Sequence, residues 1–200
     1  MRIAHSKKLA FVVFLFCTAF SILKGQATVF YVIYFFWWSE FIRIITGRLF
    51  YKKEIKAVVT EEKQDFLVGN LILMAIYLVF IVLFFGLLAN WNNKELSLTN
   101  MDILFFQNWF FNGNLIFVLM ERIYLLGAKK SLAVKARVFT SNMLVLHISI
   151  VLGGILLFFI VKKYPSTFTP ENLWGSVLII LPFLLLKGAV HHFSNWEEES

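Results

Sequence analysis

Glu40, Glu121, His147, Lys187 and His191 are the residues of this chain whose types could do chemistry, and all five fall inside long apolar runs. Carboxylates and imidazoles held at one level of a helix bundle can pass a proton, and the same donor set suits zinc or a non-haem metal. Arg43 follows Glu40 by three residues and can meet it on one helix face, and Arg122 directly follows Glu121. Metal chemistry lacks the usual spacing: the chain has no His-Glu-x-x-His and no Glu-x-x-His pair. On a helix, His191 and the adjacent His192 point about 100° apart. The expectation is therefore no metal and no cofactor, with Glu40, Glu121, His147 and His191 as the candidate ligands should a metal bind. Serine hydrolysis is excluded by the absence of a Gly-x-Ser-x-Gly turn. Cys17 is the only cysteine, which rules out an intrachain disulfide framework and a cysteine zinc site.

Further polar residues share these runs. Gln107, Asn114 and Glu121 recur every seven residues and are expected to form a polar stripe along one helix. Such a stripe either lines a wet path or supplies amides that bond neighbouring helices. Asn70, Asn142 and His147 lie in other runs. Asn142 and His147 point about 140° apart on a helix, so both cannot face one pocket squarely.

The elements that must position these residues follow from composition. The 200 residues are 60% hydrophobic and only 16% charged, far from the balance of a soluble domain. The charges cluster between six apolar runs, about 9–23, 27–47, 66–89, 103–126, 139–161 and 173–193. Most are long enough to cross the hydrocarbon core as helices, and none alternates as a barrel strand would. The fold expected is all-α: a single polytopic membrane helix bundle over residues 1–200. The first run is short. With its basic leader and the small residues near 25–27 it reads either as a signal peptide or as a helical hairpin turning at Lys24-Gly25-Gln26.

Lys and Arg fix the orientation. Thirteen lie before the first run or in the segments 48–65 and 122–137, against four on the alternate side: Lys24, Lys94, Lys162 and Lys163. The positive-inside rule places both termini in the cytoplasm. The net charge of +7 is accounted for by that asymmetry, and nucleic acid is not an expected partner. The partner implied is the lipid bilayer, and a second copy or another membrane protein fits the same surface.

On this topology Glu40 lies about 10 Å inside the cytoplasmic end of its helix, counting 1.5 Å per residue. Arg43, Asn70, Glu121, Arg122, Asn142, His147, Lys187 and His191 fall at comparable levels on five helices. A charge at mid-helix costs roughly 2.5–3.5 kcal/mol on insertion scales, so these groups are expected to satisfy one another. Tyr34, Phe35, Phe36, Trp37 and Trp38 cover every face of the second helix and are expected to meet lipid and pack between helices.

Three stretches carry a resemblance: Trp38-x-Glu40, "LHISIVLGG" at 146–154 and "LLLKGAVHH" at 184–192. Their order resembles an uncharacterised prokaryotic family of multi-pass membrane proteins, a domain of unknown function. Trp38, Glu40, His147, Gly153, Gly154 and Lys187 match its pattern, and His191 stands where the family carries an acid. The resemblance implies an inner-membrane location and a functional locus in the inner leaflet, and it implies no activity. The residues themselves leave three functions open: a polar site that moves or senses a small solute or proton, an intramembrane enzyme using Glu and His, and a structural or accessory subunit.

Overall fold

The computed structural model describes residues 2–49, 62–91, 93–127, 141–164, 166–168 and 172–199. Every regular element among them is helical: α1 (Arg2–Leu23), α2 (Val29–Leu49), α3 (Glu62–Phe80), α4 (Lys94–Leu104), α5 (Trp109–Gly127), α6 (Ser141–Ile155) and α7 (Leu173–Glu199). α3 runs on as a π-helical segment (Ile81–Leu87) and a short 3-10 turn (Leu88–Asn90), and α6 runs on as a second π segment (Leu156–Val161). The basic segments 48–65 and 122–137 lie largely outside the described residues.

Among the described residues, five stretches are long and apolar enough to cross a membrane: Val29–Gly47, Val68–Asn90, Lys94–Tyr124, Asn142–Val161 and Leu173–Val190, with Leu9–Leu23 a shorter apolar helix. Their outward faces are apolar, as Ile72 and Ile76 on α3 and Leu178 and Leu185 on α7 illustrate. Contiguous apolar surface of this kind has no place in water and matches hydrocarbon.

α2 is the hub of the bundle. It packs on α3 and its π segment, and on α4, α5, α6 and α7, and Phe14 of α1 stacks on its Phe35 at 4.7 Å. Seven consecutive residues, Tyr31 to Trp37, are buried on every side of the helix. The aromatic run is therefore core and not lipid-facing, contrary to the expectation from its place in an apolar span. Tyr34 stacks on Phe111 of α5 at 5.4 Å, and Trp37 Nε1 donates to the Met74 carbonyl of α3 at 2.7 Å.

Two tight turns shape the end of the bundle remote from the chain termini. α1 closes on Gly25, whose φ of 66° lies in the left-handed region that glycine enters without strain. The Gly25 N–H then donates to Ile22 and that of Gln26 to Ser21, forming the hairpin at 24–26. α4 ends the same way, with Phe106 in the left-handed position (φ 58°) and the N–H of Gln107 donating to Asp102. Phe106 is held there by ring contacts with Trp38 and Phe111. Asn108 then caps α5, its Oδ1 accepting from the Phe111 N–H at 2.9 Å. The expected span 103–126 is thus divided: a short helix ends at Leu104 and the crossing helix starts at Trp109. Hydropathy ran across this break because all the residues around it are apolar or aromatic except Gln107 and Asn108.

Candidate functional site

The site lies near the end of the bundle that carries the chain termini, where α2, α5, α6 and α7 come together. Glu40 is fully buried on α2. Arg43, one turn on, grips it with two bonds: Nε to Oε2 at 2.8 Å and Nη2 to Oε1 at 2.5 Å. Such a bidentate fork is the strong form of a carboxylate–guanidinium pair. Lys187 reaches in from α7. Its Nζ donates to Asn142 Oδ1 of α6 at 2.9 Å and stands 5.5 Å from the centroid of the Phe36 ring on α2.

α5 contributes Glu121 and Arg122. Lys187 lies within electrostatic reach of Glu40, Arg122 and Glu121, and Arg122 within reach of Glu121, Arg43 and Glu40. Five charges from three helices are therefore electrostatically coupled, with an amide from a fourth; Glu40 is enclosed and the other four are half-buried. Glu40 makes a further contact besides Arg43, and Glu121 is likewise engaged. Arg122 differs, because its Nε is enclosed and meets no hydrogen-bond partner among the described residues. Burying a guanidinium donor without a partner is costly.

Several expected members stand elsewhere. His147 is exposed on α6, and its Nδ1 lies 2.8 Å from the Tyr77 hydroxyl of α3. The bond the structure gives it runs to α3 and not into the charged cluster. Its position five residues past Asn142 turns it to the outer face. Gln107 is not on the helix at all; it sits exposed in the turn between α4 and α5, and the stripe loses its first residue. Asn114 is buried, but bonds the Tyr31 hydroxyl at 2.9 Å, two turns of α5 away from Glu121. The stripe thus splits into a dry interhelical bond and a member of the charged cluster. Asn70 is half-buried on α3, and among the described residues no bond ties it to the cluster. The side chain of His191 lies outside the described residues. Among those described, no three His, Cys, Asp or Glu side chains are grouped to hold a metal ion, so Glu40, Glu121 and His147 do not form the donor set considered for one.

A second polar locus escaped the sequence reading. At the opposite end of the bundle Asn100 of α4 is fully buried. It accepts from the Thr28 hydroxyl at 2.8 Å and donates to the carbonyls of Phe85 and Gly86 at 3.2 and 3.3 Å. These carbonyls belong to the π segment after α3, where α-type bonding is interrupted. Thr28 also caps α2, its Oγ1 accepting from the Tyr31 N–H at 3.1 Å. The available signal was Asn93 followed by Lys94 and Glu95, a helix-start pattern realised as an N-cap bond from the Leu96 N–H at 3.1 Å. A small cavity of about 40 Å³ lies at this end beside Thr28, Asn90 and Ser176. An open groove of about 510 Å³ runs between Lys24, Glu95 and Asp102.

No family model matches the chain, and no curated protein or solved structure matches it. The functional reading therefore rests on the side chains themselves.

Proposed function

We propose that this chain is a membrane protein of six helical spans with both termini in the cytoplasm, and that its inner charged cluster is a site where a small solute or proton is moved or sensed. The membrane is a prokaryotic inner membrane on the resemblance drawn from Trp38, Glu40, Gly153, Gly154 and Lys187. The observation that carries the reading is the Arg43–Glu40 fork on α2 together with the Lys187–Asn142 bond between α7 and α6, with Glu121 and Arg122 of α5 electrostatically coupled to them. Ionisable groups within membrane spans are costly and characteristically mark ion or substrate pathways. In this reading Glu40 and Glu121 supply the carboxylates of the site, Arg43, Arg122 and Lys187 offset their charge, and Asn142 orients Lys187.

The test is flux in liposomes carrying the purified full chain and a trapped pH dye. Glu40→Gln keeps the size of the side chain and removes its titrating charge, and is expected to abolish a proton leak or proton-coupled uptake seen with wild type. Wild-type vesicles no leakier than empty ones to protons and to a panel of small solutes would sink the transport form of the reading.

A structural role is favoured by one specific observation: the Lys187–Asn142 bond ties α7 to α6. If the cluster only holds helices together, Glu40→Gln lowers stability and alters no flux. An intramembrane enzyme is the weaker alternative, because His147 bonds to Tyr77 and not to either carboxylate.

A further inference from the structure

We infer that the inner cluster receives a phosphate-bearing anion on Arg122 and Lys187. This inference rests on reading the cluster as a binding site. Its five named charges comprise three cations and two carboxylates, leaving one positive charge in excess. Arg43 is taken by the two oxygens of Glu40, so the surplus falls on Arg122 and Lys187. Arg122 keeps an enclosed Nε donor without a partner, and an ammonium such as Lys187 carries three N–H donors, of which one meets Asn142.

The two cations repel each other, which an anion between them would reverse. A planar guanidinium fork beside an ammonium point charge is a donor set suited to phosphate oxygens. A phosphodiester carries a single negative charge and matches the surplus. Arg122 lies five residues from the end of α5, about 7.5 Å at helical rise, a depth that either a lipid headgroup or a free phosphate from the cytoplasmic side can reach.

The experiment uses the full chain purified in a maltoside detergent, which contains no phosphate. Thermal unfolding is followed while sodium phosphate is titrated against sodium chloride at equal ionic strength. In a second arm, micelles doped with phosphatidylglycerol are compared with micelles doped with a galactosyl diacylglycerol, a lipid without phosphate. At least one phosphate-bearing additive is expected to raise the wild-type midpoint in a saturable way. Stabilisation by the lipid alone identifies a headgroup, by free phosphate alone a solute, and by both a site that reads the phosphate itself. Arg122→Gln is expected to weaken the apparent affinity by about tenfold or more, as a lost charge-assisted pair does. Arg122→Lys, which keeps the charge and so protects folding, should weaken it less. Lys94→Gln, remote from the cluster, should leave it unchanged. No phosphate-specific stabilisation of wild type, or wild-type affinity in both Arg122 variants, overturns the inference. Because the flux assay turns on Glu40 and this one on Arg122, loss of the anion site would leave the proton reading standing.

Discussion

Lys187 of α7 donates to Asn142 of α6 across 2.9 Å, so the last two helices are joined by a charged hydrogen bond in the bundle interior. A half-buried ammonium so placed benefits from that acceptor: with Asn142→Leu the charge loses this partner. The expected loss of stability is about 1.5–3 kcal/mol, the range for hydrogen bonds to charged groups. Lys187→Met combined with Asn142→Leu should cost less than the two single changes added together, because the double variant leaves neither group orphaned. A denaturant or thermal double-mutant cycle in detergent checks this, and strict additivity would show that the bond carries no coupling.

The pair Gly153 and Gly154 separates a packing glycine from a replaceable one. A Cβ at Gly153 would stand 2.7 Å from Ile33 Cδ1 and 2.8 Å from Phe85 Cε1, whereas one at Gly154 meets nothing within 4 Å. Gly153→Ala is expected to destabilise by about 1–3 kcal/mol through overpacking between α6, α2 and the π segment of α3. Gly154→Ala should be neutral or stabilising by up to about 1 kcal/mol from helix propensity. Thermal midpoints of the two variants decide it.

His147 should be dispensable for the inner site. His147→Phe removes the bond to Tyr77 at the outer face and is expected to leave both flux and phosphate stabilisation at wild-type values, unlike Glu40→Gln or Arg122→Gln. A loss of flux in His147→Phe as deep as that in Glu40→Gln would restore it as a proton relay.

The proposed orientation makes a labelling prediction. In a background with Cys17→Ala, single cysteines at Lys94 and Lys163 should react with an impermeant maleimide added to intact cells. Cysteines at Lys56 and Lys130 should react only after lysis. Reversed labelling would invert the topology.

The apolar runs were legible because composition alone decides whether a segment suits lipid. Rotational phase was not. A helix that is apolar all round presents no preferred face, so nothing in "YVIYFFWW" marked α2 as enclosed by its neighbours, and nothing in "LLLKGAV" aimed Lys187 at Asn142. His147 was partly readable, since its angle to Asn142 already turned it aside. The break after Leu104 was missed because it depends on Phe106 adopting a left-handed backbone, a conformation phenylalanine seldom takes, and on a cap from Asn108 inside an otherwise apolar stretch. Asn100 was missed because its partners are main-chain carbonyls of a π segment, a winding that residue types do not announce.

α2 carries Thr28 at one end, bonded to Asn100, and Glu40 twelve residues on, clasped by Arg43. Between them runs an unbroken helix, buried from Val29 to Trp37. It acts as a stiff rod about 18 Å long between the two loci, at 1.5 Å per residue. Sliding or turning that rod would strain the Asn100 bonds and the charged cluster in the same stroke, so the two polar loci are mechanically coupled through a single element.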